Sequence, residues 1–316
     1  MKLFASLLIG IAFASSCAAY GLDDYKDIML PDSPRAGADK KQLRVMFMGV
    51  ATLLFDDGET AIMTDGYFSR PGRAAMQGKM EPNQERITKS LQRAGVKSLA
   101  AVIVVHSHFD HALDSPTVVR KTGALLVGSN STANIGRGSG LPEEKIRVAA
   151  NGQTMEFGRF KVTFLASAHL PIGFAMGDIK EPLLLPARAS EYKAGDCYTL
   201  LIEHDGHTIL VQGSAGFIPG ALKGRKADVV YLGVGGMSAI VGTYKNDYWH
   251  ELVQTVGARR VIPIHWDDFF VSNEEPLKPN SDFYSVMRFL QEQGKKENVD
   301  VRVPTAWAMS DPLIGL

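Results

Sequence analysis

Hydrophobic and polar positions change rhythm several times along this chain. Leu43 to Val50 and Thr52 to Phe55 are dense in apolar residues and stop at Asp56-Asp57-Gly58, so they read as two strands and a turn. Thr60 to Thr64 reads as a third strand, closed by Asp65-Gly66. Asn83 caps a helix that runs through about Arg93; Ile87 and Leu91 lie one turn apart on it, and Gly95 stops it. Leu99 to Val105 is a nearly unbroken apolar run rich in valine. Its shortness favours a buried strand over a helix, and it ends directly in His106.

The alternation continues beyond the histidines. Ser115-Pro116 opens a short helix, and Ala124 to Val127 is a strand. Met155 to Phe157 and Phe160 to Ala166 flank Gly158-Arg159, a hairpin pattern. Tyr198 to Glu203 and Thr208 to Gln212 flank Asp205-Gly206, a stronger one. Val229 to Leu232 is a strand, and Gly233 to Gly236 reads as a tight turn after it, matching no nucleotide-binding fingerprint. Trp249, Leu252, Val253 and Val256 share one helical face, and Val261 to Ile264 is a strand ending in His265. Strands thus form a meander, alternate with helices, and form a second meander, the pattern of an α/β chain.

The N-terminus stands apart. Met1-Lys2 is a basic start, Leu3 to Phe13 is apolar, and small residues follow, as in an export signal. Ala14-Ser15-Ser16-Cys17 resembles a lipobox, which would leave a lipidated Cys17 and attach the protein to a membrane. Cleavage after Ala19 is the other reading. Residues 1–19 are therefore read as a signal, 20–42 as a polar tether and 43–316 as the domain. The expected location is the periplasm, free or as an anchored lipoprotein. The only other cysteine, Cys197, excludes an internal disulfide after cleavage and reads as a small buried hydrophobe. Lys+Arg and Asp+Glu both number 34, so no basic excess asks for nucleic acid.

The chemistry concentrates in His106-Ser107-His108-Phe109-Asp110-His111. Alternate residues of an extended segment point one way, so His106 and His108 can face one point, and a turn can bring Asp110 and His111 to a neighbouring one. Imidazole and carboxylate donors suit zinc, and also iron or manganese. His204, His207 and His250 are expected at the surface or beside a helix face, outside any site.

The His-x-His-x-Asp-His run resembles the signature of the metallo-β-lactamase superfamily. That resemblance implies a four-layer αββα sandwich with a metal site at its edge. Ile62-Met63-Thr64-Asp65, Ala166-Ser167-Ala168-His169 and Val261-Ile262-Pro263-Ile264-His265 look like the group containing ascorbate-6-phosphate lactonase and N-acyl phosphatidylethanolamine phospholipase D. The resemblance implies that His106, His108 and His169 hold one metal, that Asp110, His111 and His265 hold a second, and that Asp65 orients a ligand imidazole. One position departs. Where the family carries a bridging Asp in Gly-Asp-Thr, this chain has Gly213-Ser214-Ala215, and a hydroxyl is a poorer ligand than a carboxylate. One or two zinc ions per chain are therefore expected, with Asp267 and Asp268 as candidate replacements for the bridge.

The implied activity is hydrolysis of an ester, lactone, amide or phosphodiester by a metal-activated water, with Asp110 orienting that water or taking its proton. The segment Leu170 to Gly195, with Phe174, Met176 and Leu183-Leu184-Leu185, reads as an apolar lid for a small-molecule or lipid-like substrate, or as a packing segment. The rival readings are an iron-dependent oxidoreductase of the same fold and a non-catalytic metal-binding protein.

Overall fold

The computed structural model describes residues 22–33 and 42–316. Residues 1–19, read above as an export signal, and Cys17 within them lie outside the described residues. The first half of the domain holds β1 (Arg44–Phe47), β2 (Leu53–Asp56), β3 (Ala61–Thr64), a short β4 (Lys79–Met80), α1 (Gln84–Arg93), β5 (Ala101–Ile103), α2 (Phe109–Ala112), α3 (Ser115–Thr122), β6 (Leu125–Gly128), α4 (Asn130–Gly138) and β7 (Ile146–Val148). The second half holds β8 (Thr154–Phe157), β9 (Phe160–Ser167), a short β10 (Ala187–Arg188), β11 (Cys197–His204), β12 (His207–Gln212), β13 (Val229–Gly233), α5 (Tyr244–Trp249), β14 (Arg260–Ile264), α6 (Phe283–Glu297), β15 (Asp300–Val301) and β16 (Met309–Ser310).

Two seven-stranded sheets result, in the orders β16-β1-β2-β3-β5-β6-β7 and β15-β14-β13-β12-β11-β9-β8. Each begins with antiparallel hairpins and continues with parallel strands. Side-chain alternation builds the layers. Val45, Phe47, Ile62, Ala101 and Ile103 face the second sheet in one core, whereas Met46, Met63, Val102 and Val104 face α1 and α3 in the other. Trp249, Leu252, Val253 and the apolar face of α6 close the far side. This is the four-layer αββα sandwich.

Local chemistry accounts for most boundaries. The Asn83 side chain accepts from the Arg86 N–H, as an N-cap does, and Gly95 takes the left-handed conformation after α1. Asp205 and Gly206 both have positive φ, as a two-residue hairpin turn requires. Two departures from the sequence reading stand out. Residues 22–33, part of the stretch read as a tether, pack on the domain: Leu30 is buried and its N–H donates to Val303 O at 2.9 Å. His204, expected at the surface, is buried, with Nε2 3.0 Å from Asp57 Oδ2. Among the described residues no helix is long and apolar enough to cross a membrane.

Candidate metal centre

The site lies where strand ends of both sheets meet. Tyr198 N, entering β11, donates to Val105 O beyond β5 at 2.8 Å; His265 N, leaving β14, donates to Val50 O at 2.7 Å. These bonds tie the two sheets together at one end. β3 and β5 run parallel as neighbours, so Asp65 and His106 emerge side by side.

Six donors converge there in two groups, His106 with His108 and His169, and Asp110 with His111 and His265; within each, the ligand atoms lie within 4.8 Å of one another. The groups abut, with the His106 and His111 ring centroids 3.9 Å apart. His108 ends the extended segment and leads into α2, a single helical turn that turns Asp110 and His111 toward the second group. A change from extended to helical backbone after His108 thus splits four neighbouring residues between two groups.

The partners of each ring decide which nitrogen is free. His111 Nδ1 lies 2.7 Å from Asp65 Oδ2 and donates to it, which leaves the Nε2 lone pair for a cation. His169 Nδ1 donates to Leu170 O at 2.8 Å, freeing Nε2; His108 Nε2 faces Ala175 O at 3.3 Å, freeing Nδ1. His106 Nε2 and His111 Nε2 are buried with no hydrogen-bond partner among the described residues. Orphaned imidazole nitrogens are costly in a protein interior, and a cation is the group that satisfies a set of them. The donor set fits one or two divalent ions.

Electrostatics agree. Burial, then the surrounding imidazoles, holds His106 well below the usual histidine range, and the same causes push His169 down to about 4, so both are unprotonated and available to a metal. Burial opposes charge on His111 as well, but Asp65 and Asp110 outweigh it and raise its pKa. Burial likewise disfavours the Asp110 carboxylate; His111 and His265 overcome that and hold it below the usual carboxylate range. Asp110 Oδ2 stands 3.3 Å from His265 Nε2 and 3.6 Å from His111 Nε2.

Asp65 is buried and bonds both the His111 ring and the Val105 N–H, the latter at 2.9 Å. Ser214 Oγ accepts from Leu170 N at 3.1 Å, so its hydroxyl ties down the residue after His169. Its loop needs small residues: a Cβ on Gly216 would stand 2.2 Å from Ala168 O. Asp267 and Asp268 do not replace the bridge. Arg70 takes Asp267 at 2.6 Å, Arg73 takes Asp268 at 2.8 Å, and neither joins the two groups.

The sequence reading missed two features. Gly235 is more than a turn residue, since a Cβ there would meet His265 Nδ1 at 2.6 Å. The Arg70–Asp267 pair carried no signal, because its members are far apart in the chain. His207 and His250 are exposed and remote from the two groups, and burial pushes the Cys197 thiol up to about 12.

A cavity of about 320 Å³ opens over the donors. Phe109, Leu170, Ile172, Phe174, Phe269 and Phe270 supply most of its apolar wall, and among the described residues no Lys or Arg lines it. Ile172 and Phe174 come from the segment read as a lid. That segment is pinned farther on, where Leu183 N donates to Asn134 O of α4 and Ala194 N donates to Ala175 O.

Residues 60–266, which include all six donors, match the β-lactamase superfamily domain. The chain belongs to that family. It is 24% identical over 243 residues to a UPF0173 metal-dependent hydrolase of Heliobacterium modesticaldum, covering 74% of this chain and 86% of that protein. Its fold is similar to that of Igni18, a metallo hydrolase from Ignicoccus hospitalis, with TM-score 0.54, 16% identity and coverage of 84% and 96%. It is also similar to that of CmlA, a diiron β-hydroxylase from Streptomyces venezuelae, with TM-score 0.51, 12% identity and coverage of 84% and 53%.

Proposed function

We propose that this protein is a zinc-dependent hydrolase of uncharged acyl esters or lactones with an apolar acyl part. The carrying observation is the cavity: members of both groups of metal donors form its floor, aromatic and aliphatic side chains form its walls, and among the described residues no Lys or Arg lines it. A phosphodiester would bring an anion into that apolar site, whereas an ester or lactone brings a neutral carbonyl. The family and the names of its relatives support metal-dependent hydrolysis. Five imidazoles with one carboxylate favour zinc over the harder ions.

When bound, the ion supplies Lewis acidity and an ionised water near neutral pH. The chain supplies the rest. Asp110 stays ionised between His111 and His265, and Oδ2 can accept a proton from water or pass it to the leaving alcohol. Asp65 fixes the His111 tautomer. Phe174 stands 5.6 Å from the His108 ring and, with Ile172, excludes water from the acyl side. Export into the periplasm, from the reading of residues 1–19, belongs to the same proposal.

The test combines elemental mass spectrometry with hydrolysis of 4-nitrophenyl hexanoate and γ-decalactone by the purified protein. Bound zinc, turnover lost on chelation and regained on reloading are the expected results. Bound iron with no esterase activity would instead favour oxygen chemistry, as in a diiron hydroxylase. No metal after reloading would leave only a non-catalytic role.

A further inference from the structure

Four of the six metal donors, His108, Asp110, His169 and His265, line the cavity; among the described residues the other lining side chains are apolar with a single exception, Asn280. Its backbone is fixed. Asn280 N donates to Trp266 O at 2.9 Å, Asp267 and Pro279 form a β-bridge, and Asp268 N donates to Lys278 O at 2.7 Å. The segment before α6 is thus stitched to the residues that directly follow His265. The side chain is not fixed in this way. Asn280 is half-buried: its Oδ1 is buried without a hydrogen-bond partner, whereas its Nδ2, which makes no bond among the described residues, is solvent-accessible.

An amide oxygen buried without a partner in its own protein is costly to keep in an apolar wall. A half-turn about its terminal torsion exchanges oxygen and nitrogen, so Asn280 can present an acceptor or a donor to the cavity without breaking any bond. A plain alkyl chain satisfies neither. A hydroxyl or a secondary amide both donates and accepts, and pairs with the side chain in either orientation.

We infer that Asn280 is a specificity-determining residue, which selects acyl substrates carrying a hydroxyl or amide group beside the scissile carbonyl. This deepens, and rests on, the acyl-hydrolase reading above. The apolar wall holds the body of the substrate, the donors on the floor face its carbonyl, and Asn280 sets the register between the two.

Three matched aryl esters test it on the zinc-loaded protein: 4-nitrophenyl hexanoate, its 3-hydroxy analogue, and 4-nitrophenyl N-butanoylglycinate. A site built around a hydrogen bond discriminates strongly against a ligand that lacks the partner. We expect kcat/KM to favour one or both polar esters over hexanoate by about tenfold or more. Asn280→Leu removes that preference: the loss in kcat/KM on the favoured polar ester exceeds any change on hexanoate by about tenfold. Preference for the hydroxyl ester alone, or for the amide ester alone, identifies which group the site takes. No preference in the wild type, or an equal loss on all three esters in a variant of unchanged melting temperature, overturns the inference. If Asn280→Leu does not fold, Asn280→Ala is read the same way: loss of the preference supports the inference, and an unchanged preference overturns it.

If the wild type cleaves none of the esters, the acyl-hydrolase reading fails, and Asn280 is then judged by binding. Saturable binding of N-propylbutanamide to the wild type but not to Asn280→Leu, followed by protein NMR, supports the inference. Equal binding, or none to either, overturns it.

Discussion

Arg70 and Asp267 form a buried ion pair, Nη2 to Oδ2 at 2.6 Å, directly behind the second group of metal donors. The other Asp267 oxygen accepts from Val50 N at 2.8 Å, and Val50 O in turn accepts from His265 N. Val50, Arg70 and His265 all have positive φ, a costly conformation for these residues. Gly49 makes room: a Cβ there would stand 1.9 Å from Arg70 Nη2. The pair therefore holds His265 in a backbone conformation it would not choose alone. Asp267→Asn leaves a buried guanidinium poorly paired. It is expected to lower stability by about 3 kcal/mol. It should also weaken the ion at Asp110, His111 and His265 more than the ion at His106, His108 and His169, read by metal titration against thermal melting.

Asp65 acts on the same group through a side chain. Removing a carboxylate that orients a ligand imidazole typically costs 10–100-fold in metal affinity. Asp65→Asn should show a loss of about that size, confined to one of two binding steps in a competitive chelator titration. A variant that binds both ions as tightly as the wild type would contradict the role.

Asp110 is expected to serve proton transfer as well as metal binding. Asp110→Asn should reduce kcat on 4-nitrophenyl hexanoate by about 10² to 10⁴-fold. Zinc at His106, His108 and His169 should remain, measured by elemental analysis of the same sample. Unchanged kcat would remove Asp110 from the mechanism.

Phe174 tests the lid reading. Its ring covers His108 and lines the cavity while staying partly exposed. Phe174→Ala forfeits about 1.5 kcal/mol of apolar contact with an acyl chain, which corresponds to about a tenfold rise in KM with kcat little changed. A short acetyl ester, with little chain to bury, should be nearly indifferent to the change.

Asp57 links stability to pH away from the site. Burial disfavours its charge, but the Thr60 and Glu59 N–H groups and His204 outweigh burial and hold its carboxyl below the usual value; Arg159 lies 3.8 Å away on the same side. A depressed carboxyl stabilises the fold above its unfolded pKa of about 4, and that contribution is lost as pH falls through the lower folded value. Asp57→Asn should cost about 2 kcal/mol at pH 7 and flatten the decline in stability below about pH 4. Chemical denaturation at several pH values measures both.

The sequence by itself determined the sandwich and much of the site. Unbroken apolar runs such as Leu99 to Val105 must bury both faces, and local turn chemistry at Asp205-Gly206 and Asn83 fixes where elements begin and end. The His106 to His111 run announced its chemistry because its donors are neighbours in the chain. Phe283, Val286, Met287 and Leu290 also keep helical spacing, so α6 was readable although the sequence reading passed over it, whereas α4, with Asn, Thr and two glycines, carries little helical propensity of its own. Tertiary structure decided what depends on distant partners. It gave Asp267 to Arg70 instead of to a metal, buried His204 against Asp57, set Gly235 under His265, and placed Asn280 in the cavity wall. Each is a pairing between segments far apart in the chain. Residue type announces that a charge or an amide needs a partner, but only the packing of the two sheets brings that partner within reach.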